Sequence, residues 1–203
     1  MGYLGRFSIS ELAAQYAFGY FVETGTGHGA SLDYAARWNF RALHSCDVDP
    51  VLLDQAKLRY ADNQRVFLEQ ESSAVFLQQV LQRLPQSTPI LFWLDAHFPG
   101  IWSGAAPDAE SDAAMRLPLE EELQLIANTR LFGRDIIVID DLRIYEEGPF
   151  TSGALPDDLR PWCPAERNID FIYRIMGSTH DVARFYEHEG YILLTPKVYP
   201  HAH

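Results

Sequence analysis

Phe21-Val-Glu-Thr-Gly-Thr-Gly-His-Gly-Ala30 decides the fold of this chain, because an apolar run ends there in an acid and then in glycines at alternate positions. The pattern predicts the carboxyl end of a first strand, a tight turn and the start of a helix. Gly25, Gly27 and Gly29 let the backbone bend sharply and approach a ligand closely, since no Cβ stands in the way. The following helix presents free N–H groups to that ligand.

Glu23 narrows the choice of ligand at this turn. It stands two residues before the first glycine. A carboxylate there repels a pyrophosphate, but it suits a ligand that carries an ammonium or a hydroxyl group.

Length and composition place limits on the class of protein. The chain has 203 residues, 47% of them hydrophobic, which predicts one domain over residues 1–203. A net charge of −12 argues against nucleic acid or an anionic membrane as the partner. Cys46 and Cys163 have no CxxC spacing, so neither a disulfide framework nor a zinc ribbon is indicated. With no signal sequence and no membrane-length apolar run, we expect a cytoplasmic protein.

Strand and helix patterns alternate along most of the chain. This predicts a doubly wound α/β fold, with a mostly parallel Rossmann-like sheet between two helical layers. Residues 168–176 fit either a strand or a helix, and residues 181–188 look helical. Residues 99–116 have no regular period and predict a long lid or substrate loop. A first strand is predicted to end at the glycine turn, and further strands are predicted at residues 41–46, 65–69, 89–94, 136–139 and 191–195.

Acidic residues follow each of the first five predicted strands. In open α/β sheets ligands bind at the carboxyl ends of the strands, near the point where strand order reverses. Gathering acids at one edge is unfavourable unless a cation or a polar ligand sits there. The acids are Glu23, Asp47, Glu71, Asp95, Asp140 and Asp141.

The run Glu23-Thr-Gly-Thr-Gly-His-Gly29 resembles the first motif of class I S-adenosylmethionine-dependent methyltransferases, and the resemblance extends over residues 20–142. The runs Phe-Val-Glu-Thr-Gly-Thr, Phe92-Trp-Leu-Asp-Ala-His97, Pro118-Leu-Glu-Glu-Glu-Leu123 and Ile139-Asp-Asp-Leu142 resemble a bacterial group of such proteins. The resemblance implies binding of S-adenosylmethionine and methyl transfer.

By this resemblance each cofactor group has a predicted contact. Glu23 would meet the methionine portion and Asp47 the ribose hydroxyls. Val48 would meet the adenine face, and Glu71 with Ser72 the adenine edge. Such roles suit carboxylates, which accept from two vicinal hydroxyls at once. The predicted cofactor-binding set is completed by Thr24, Gly25, Gly27, Gly29 and Asp95.

Two other functions fit parts of the pattern. Gly25-x-Gly27-x-x-Ala30 matches the looser dinucleotide fingerprint, with Asp47 near the expected distance, and predicts an NAD(P)-binding oxidoreductase. Glu23 beside the turn argues against it. A protein that binds S-adenosylmethionine without transferring its methyl group is the other alternative.

Asp95, Asp140 and Asp141 form a second constellation. Three carboxylates at neighbouring strand ends suit Mg²⁺, which prefers oxygen ligands, and some O-methyltransferases of this fold are similar. Asp95 and His97 are the candidate catalytic residues, with His97 as the base that takes a hydroxyl proton. The alternatives are a salt bridge from the Asp140-Asp141 pair to Arg143 and a hydrogen-bonded pocket histidine with no proton to move.

We therefore expect methyl transfer to an oxygen of a small molecule, such as a sugar or a secondary metabolite. Nucleic acid and membrane are not expected partners. Residues 99–116 and 145–164 are expected to select the acceptor. The tail strand and the aromatic helices are candidates for a homodimer contact.

Overall fold

One sheet organises the computed structural model, which describes residues 3–98 and 116–197. In the described part of the chain it has seven strands, in the order β3-β2-β1-β4-β5-β7-β6. Strands β1 to β5 pair in parallel, whereas β7 is antiparallel to both β5 and β6. The strands are β1 Tyr20–Thr24, β2 Ala42–Asp47, β3 Val66–Gln70, β4 Ile90–Leu94, β5 Ile136–Asp140, β6 His180–Phe185 and β7 Tyr191–Pro196.

Helices cover both faces of the sheet, because the strands alternate apolar side chains toward each face. Val22 and Phe92 pack in the cluster that includes α4, α5 and α6, while Phe21 and Trp93 pack in the cluster that includes α2. This confirms the predicted three-layer α/β fold. The helices are α1 Ile9–Tyr16, α2 Ala30–Ala35, α3 Pro50–Arg59, α4 Ser73–Arg83, α5 Leu119–Thr129 and α6 Asp170–Met176.

The strand order reverses between β1 and β4, and this switch point positions the site. From β1 the chain crosses to β2 and β3 on one side, then returns to β4 on the other. Thr24 and Leu94 are paired at the ends of these two strands. The N–H of Asp95 continues the pairing by donating to the Thr24 carbonyl at 3.0 Å. The glycine turn and the acids after β4 therefore begin side by side.

Two predictions about the tail are resolved, whereas the homodimer contact stays a prediction. The helix expected at residues 181–188 is wrong, because His180–Phe185 is strand β6, paired along its length with β7. Pairing in the sheet overrides the weak helical pattern of this polar edge strand. The ambiguous segment 168–176 contains helix α6. Strand β7 is paired on both sides, so its edges are not available for the dimer contact expected there.

The long loop expected at residues 99–116 lies outside the described residues, except for Arg116. Its two ends meet, since the N–H of Phe98 donates to the Arg116 carbonyl at 3.0 Å. The terminal His201 and His203 also lie outside the described part. Among the helices of residues 3–98 and 116–197, none has the length and apolar character needed to cross a bilayer.

Candidate functional site

The glycine turn is closed on one side and open on the other. Gly25, Gly27 and Gly29 all have positive φ, of 79°, 51° and 77°. A Cβ on Gly25 would lie 2.5 Å from the Asp95 carbonyl oxygen, so only glycine fits against the end of β4. A Cβ on Gly27 would meet nothing within 4 Å. The turn therefore presses its backbone against β4 and presents a bare surface to an incoming ligand.

Glu23 lies buried beside this turn, with 1% of its surface exposed. Its Oε2 accepts a hydrogen bond from the Ser45 hydroxyl at 2.5 Å. Burial raises the pKa of Glu23 to about 8, although the Ser45 hydrogen bond opposes the rise. A cationic ligand group close to Glu23 would offset the cost of ionising this acid.

Thr24 faces the opposite side of the sheet from Glu23, because successive side chains of a strand alternate. It is fully buried, and its hydroxyl lies beside the Glu122 carboxyl. Of the two neighbours predicted to bind cofactor, Glu23 therefore lies on the α2 side of the sheet and Thr24 on the α4 and α5 side.

Asp47 ends strand β2 directly opposite the turn. Its Oδ2 accepts from the Gly27 N–H at 2.7 Å, and its Oδ1 accepts from the Asp49 N–H at 2.9 Å. These bonds tie the acid to the glycine turn while each oxygen keeps a second lone pair. Asp49 caps helix α3 by accepting from the N–H groups of Val51 and Leu52. The structure thus brings Asp47 to the turn and gives Asp49 a helix-capping role.

The residues predicted to meet adenine lie one strand further out. Gln70, the last residue of β3, pairs with Asp47, so Glu71 and Ser72 follow at the same edge of the sheet. Both are partly exposed, and Ser72 is the N-cap of α4 without a side-chain cap bond. Val48 is also partly exposed beside Asp47. The predicted cofactor residues after β1, β2 and β3 therefore share one edge.

His97 lies between two carboxylates at the ends of β4 and β5. Its Nε2 is 3.0 Å from Asp141 Oδ2, and its Nδ1 is 3.4 Å from Asp95 Oδ1. The Arg143 Nε donates to the other Asp141 oxygen at 3.0 Å. The Trp93 indole N–H donates to the other Asp95 oxygen at 3.3 Å. Each oxygen of these two carboxylates therefore faces a nitrogen of the protein.

These contacts set the charges in the cluster. Burial opposes the charged form of His97, but Asp141 prevails and raises its pKa. Burial likewise opposes ionisation of Asp141, yet His97 and Arg143 lower its pKa. The imidazole and the Asp141 carboxylate thus stabilise each other as a charged pair. A base role for His97 would require it to give up this pairing.

Asp95 and Asp140 behave in the opposite way. Burial and the nearby acids raise the pKa of Asp95 well above its usual range. Burial and the Asp141 charge raise the pKa of Asp140 to about 7. The two carboxyl groups interact directly, so they titrate as a pair. Both carboxyl groups therefore favour their protonated form more strongly than an exposed aspartate does.

The predicted Mg²⁺ site at Asp95, Asp140 and Asp141 does not fit this arrangement. His97, Arg143 and Trp93 already face the oxygens of Asp95 and Asp141. Within residues 3–98 and 116–197, no group of three or more histidine, cysteine or acidic side chains is placed to hold a metal ion. The three acids are neighbours, but nitrogen groups of the protein face the oxygens of Asp95 and Asp141. Asp140 Oδ1 is buried and has no hydrogen-bond partner among the described residues.

Two residues of the cluster have a left-handed backbone conformation. Phe98 and Asp141 have φ values of 46° and 57°, in the region that side chains other than glycine seldom adopt. Phe98 directly follows His97, and Asp141 directly follows β5. Such strain is found where surrounding contacts enforce it, frequently at functional sites.

Sequence analysis missed Glu122 as a site residue. The sequence pointed to Glu122 only as part of the run Pro118 to Leu123, yet its side chain is 1% exposed and lies beside the Thr24 and Ser73 hydroxyls. Burial raises its pKa to about 7. Its helical spacing from Leu119, Leu123 and Ile126 marks the buried face, and this was the available signal.

Comparison with solved structures places this geometry in a known fold. A protein from Corynebacterium glutamicum is 15% identical, with a TM-score of 0.58 over 95% of this chain and 82% of its own. An O-methyltransferase from Bacillus cereus, solved in complex with SAH, is 14% identical, with a TM-score of 0.56 over 93% and 79%. The chain has the class I methyltransferase fold. Within that fold, the N-methyltransferase NodS from Bradyrhizobium japonicum WM9 is 13% identical, with a TM-score of 0.51 over 93% and 92%.

Neither a protein-family model nor a curated protein sequence matches this chain. At these low identities the structural likeness establishes the methyltransferase fold alone. Because solved proteins of the fold include both O- and N-methyltransferases, the acceptor must be argued from the site itself.

The ionisation of Glu23 predicts a pH-dependent stability. Its pKa is about 8 in the folded chain, against the ordinary 4.5, so its stabilising proton is lost as pH rises through about 8. Between pH 5 and pH 8 the ligand-free protein should lose on the order of 3 kcal/mol of unfolding free energy relative to Glu23→Gln. Urea unfolding at both pH values measures this difference.

The matched control is Glu166→Gln, which changes an exposed acid. It should follow the original protein at both pH values. Equal pH dependence of the Glu23→Gln and Glu166→Gln variants would contradict the burial argument.

Proposed function

We propose that this protein transfers the methyl group of S-adenosylmethionine to a hydroxyl oxygen of a small molecule. The observation that carries the proposal is the contact between Gly25 and the Asp95 carbonyl. It sets the glycine turn, where a cofactor would bind, directly against the cluster of Asp95, His97, Asp140 and Asp141. Both halves of the site lie on one sheet, so we assign the activity to one domain.

The residues after β1 to β3 fit an adenosyl amino acid. In this proposal Glu23 compensates the ammonium of the methionine portion, because its buried carboxyl gains most from a nearby cation. Asp47 accepts from the ribose hydroxyls with its remaining lone pairs. The space over Gly27 is open, so the ligand can approach the backbone of the turn closely. Val48, Glu71 and Ser72 line the adenine end. Gly25 and Gly29 complete the cofactor pocket together with the backbone of Thr24 and Asp95, whose side chains point elsewhere.

The nicotinamide alternative is weaker for a physical reason. A dinucleotide would bring its pyrophosphate to the turn, close to Glu23 and Asp47. Asp47 already uses the Gly27 N–H, which a phosphate would otherwise bind. The turn therefore favours a ligand without phosphate.

The acceptor side supplies a site for the hydroxyl proton. Asp95 is the most exposed of the three residues Asp95, His97 and Asp141, with 21% of its side chain accessible. Together with Asp140 it can take up a proton near neutral pH, where a general base is most effective. When bound here, S-adenosylmethionine would supply a methyl group on a positively charged sulfur. The methyl would go to the acceptor oxygen and the hydroxyl proton to the carboxyl pair, and S-adenosylhomocysteine would be the other product. Positioning of the acceptor does much of the remaining work.

In this proposal the small-molecule acceptor contacts residues 145–164, which pack against the same end of the sheet as the acidic cluster. Leu155, Leu159 and Trp162 belong to the apolar cluster on the α4 and α5 face. Arg116 stacks on the Trp162 ring at 5.2 Å. An apolar wall beside carboxylates suits a compound with both a ring and hydroxyl groups. The Mg²⁺ expected from the acids does not enter the proposal, because protein nitrogens face the oxygens of Asp95 and Asp141.

Gly27→Ala tests the cofactor assignment. The added methyl meets no protein atom, so the fold should tolerate it apart from a modest backbone strain. Affinity for S-adenosylhomocysteine in calorimetric titration should fall by about tenfold or more, because the methyl obstructs close approach of the ligand. NAD should give no binding heat with either protein.

The matched control is Gly153→Ala, a glycine that also has positive φ and open space around its Cβ position. It carries similar strain and should retain affinity. Binding of NAD in place of S-adenosylhomocysteine, or equal affinity of the two variants, would reject the cofactor assignment.

Asp95→Asn separates a methyltransferase from a protein that only binds the cofactor. The variant should keep affinity for S-adenosylhomocysteine within a few-fold but lose about 10²- to 10⁴-fold in methyl transfer, because its amide cannot accept the hydroxyl proton. Transfer of labelled methyl to a panel of sugars and phenols measures the rate. Glu71→Gln is the comparison, since it should weaken cofactor binding instead. An absence of transfer from the unmodified protein to any hydroxyl or amine acceptor would support the binding-only alternative.

A further inference from the structure

The arrangement around His97 raises the question of what balances the acids at this edge. A divalent cation is the usual expectation for three neighbouring carboxylates. We propose that the His97 ring takes the place of such a cation between Asp95 and Asp141, and that it makes the site independent of divalent metal. The role of His97 in methyl transfer rests on the proposed function, whereas the position of its ring between Asp95 and Asp141 does not.

Geometry carries the first step. The ring nitrogens of His97 lie 3.0 Å from Asp141 Oδ2 and 3.4 Å from Asp95 Oδ1, so the ring bridges the acids that follow two adjacent strands. Mg²⁺ needs oxygen ligands at about 2.1 Å in octahedral order. It could not bind these oxygens unless the ring moved away.

Surrounding contacts keep the ring in place. His97 has only 12% of its side chain exposed, and its ring packs edge-on against Phe98 with centroids 5.6 Å apart. Arg143 fixes the far oxygen of Asp141. The Arg167 guanidinium donates to the Arg143 carbonyl and so fixes the backbone of Arg143. The His97 ring is therefore held both by packing against Phe98 and by a carboxylate that Arg143 fixes.

The charge balance gives the second step. Asp141 is paired with both His97 and Arg143, so this carboxylate is doubly compensated. A divalent ion at these oxygens would have to displace the His97 ring and compete with the Arg143 guanidinium, which opposes its binding.

The chemical consequence concerns the acceptor hydroxyl. A positive group beside the acceptor oxygen favours its deprotonated form, as a bound cation does. In the proposed reaction His97 supplies that charge and keeps its own proton, while the hydroxyl proton moves to the Asp95 and Asp140 pair. His97 therefore acts as an electrostatic group, which differs from the base role predicted from sequence.

Mn²⁺ titration of the full chain tests the occupation directly. The unmodified protein should bind Mn²⁺ with a dissociation constant weaker than about 1 mM, the range of poorly formed carboxylate sites. His97→Ala should bind at least tenfold more tightly, because removal of the ring frees the carboxylates. Adding Asp141→Asn to His97→Ala should abolish the gain. Electron paramagnetic resonance of free Mn²⁺ reads the binding without any activity assay.

His44→Ala is the control for loss of a histidine elsewhere, since this ring stacks on Phe67 in the middle of β2, away from the ends of β4 and β5. It should leave Mn²⁺ affinity unchanged. Tight Mn²⁺ binding by the unmodified protein that Asp95→Asn weakens, or a folded His97→Ala variant with no gain, would overturn the proposal. Titration of the same samples with S-adenosylhomocysteine tests the proposed function separately, because neither outcome depends on the other.

Discussion

The close approach of Gly25 to the Asp95 carbonyl is the contact on which the site depends. Parallel pairing of β1 with β4 brings the two strand ends together, and only a residue without a side chain allows the turn to settle there. The same turn is tied to β2 through the Asp47 carboxylate. One backbone turn thus joins the proposed cofactor pocket to the acidic cluster beyond β4.

Buried acids at this edge are tolerated in two different ways. Glu23 and Glu122 avoid the cost of a buried charge by keeping a proton, as burial raises the pKa of each to between about 7 and 8. Asp141 stays ionised because His97 and Arg143 compensate it. Glu23 and Glu122 can ionise when a cationic ligand binds nearby, whereas Asp141 is held in place on the acceptor side by His97 and Arg143. We expect function to use both properties.

Sequence alone predicted the fold where a pattern directly reflects a physical requirement. Apolar runs such as Ile90–Leu94 must be buried on both faces, and the glycines after Glu23 require a turn. Strand β6 was missed because its pairing with β7 outweighs a local pattern that looks helical. The His97 bridge was beyond prediction, since it depends on side-chain distances across two strands. Glu122 could have been found from its place on the apolar face of α5.

The central claim is that the glycine turn holds an adenosyl cofactor with its methyl group facing the cluster at the end of β4. Nuclear Overhauser contacts from the methyl of carbon-13-labelled S-adenosylmethionine bound to the protein test it most directly. The account predicts contacts to the His97 ring protons and to the Gly25 α protons. A bound cofactor whose methyl contacts neither residue, or the absence of any bound cofactor, would contradict it.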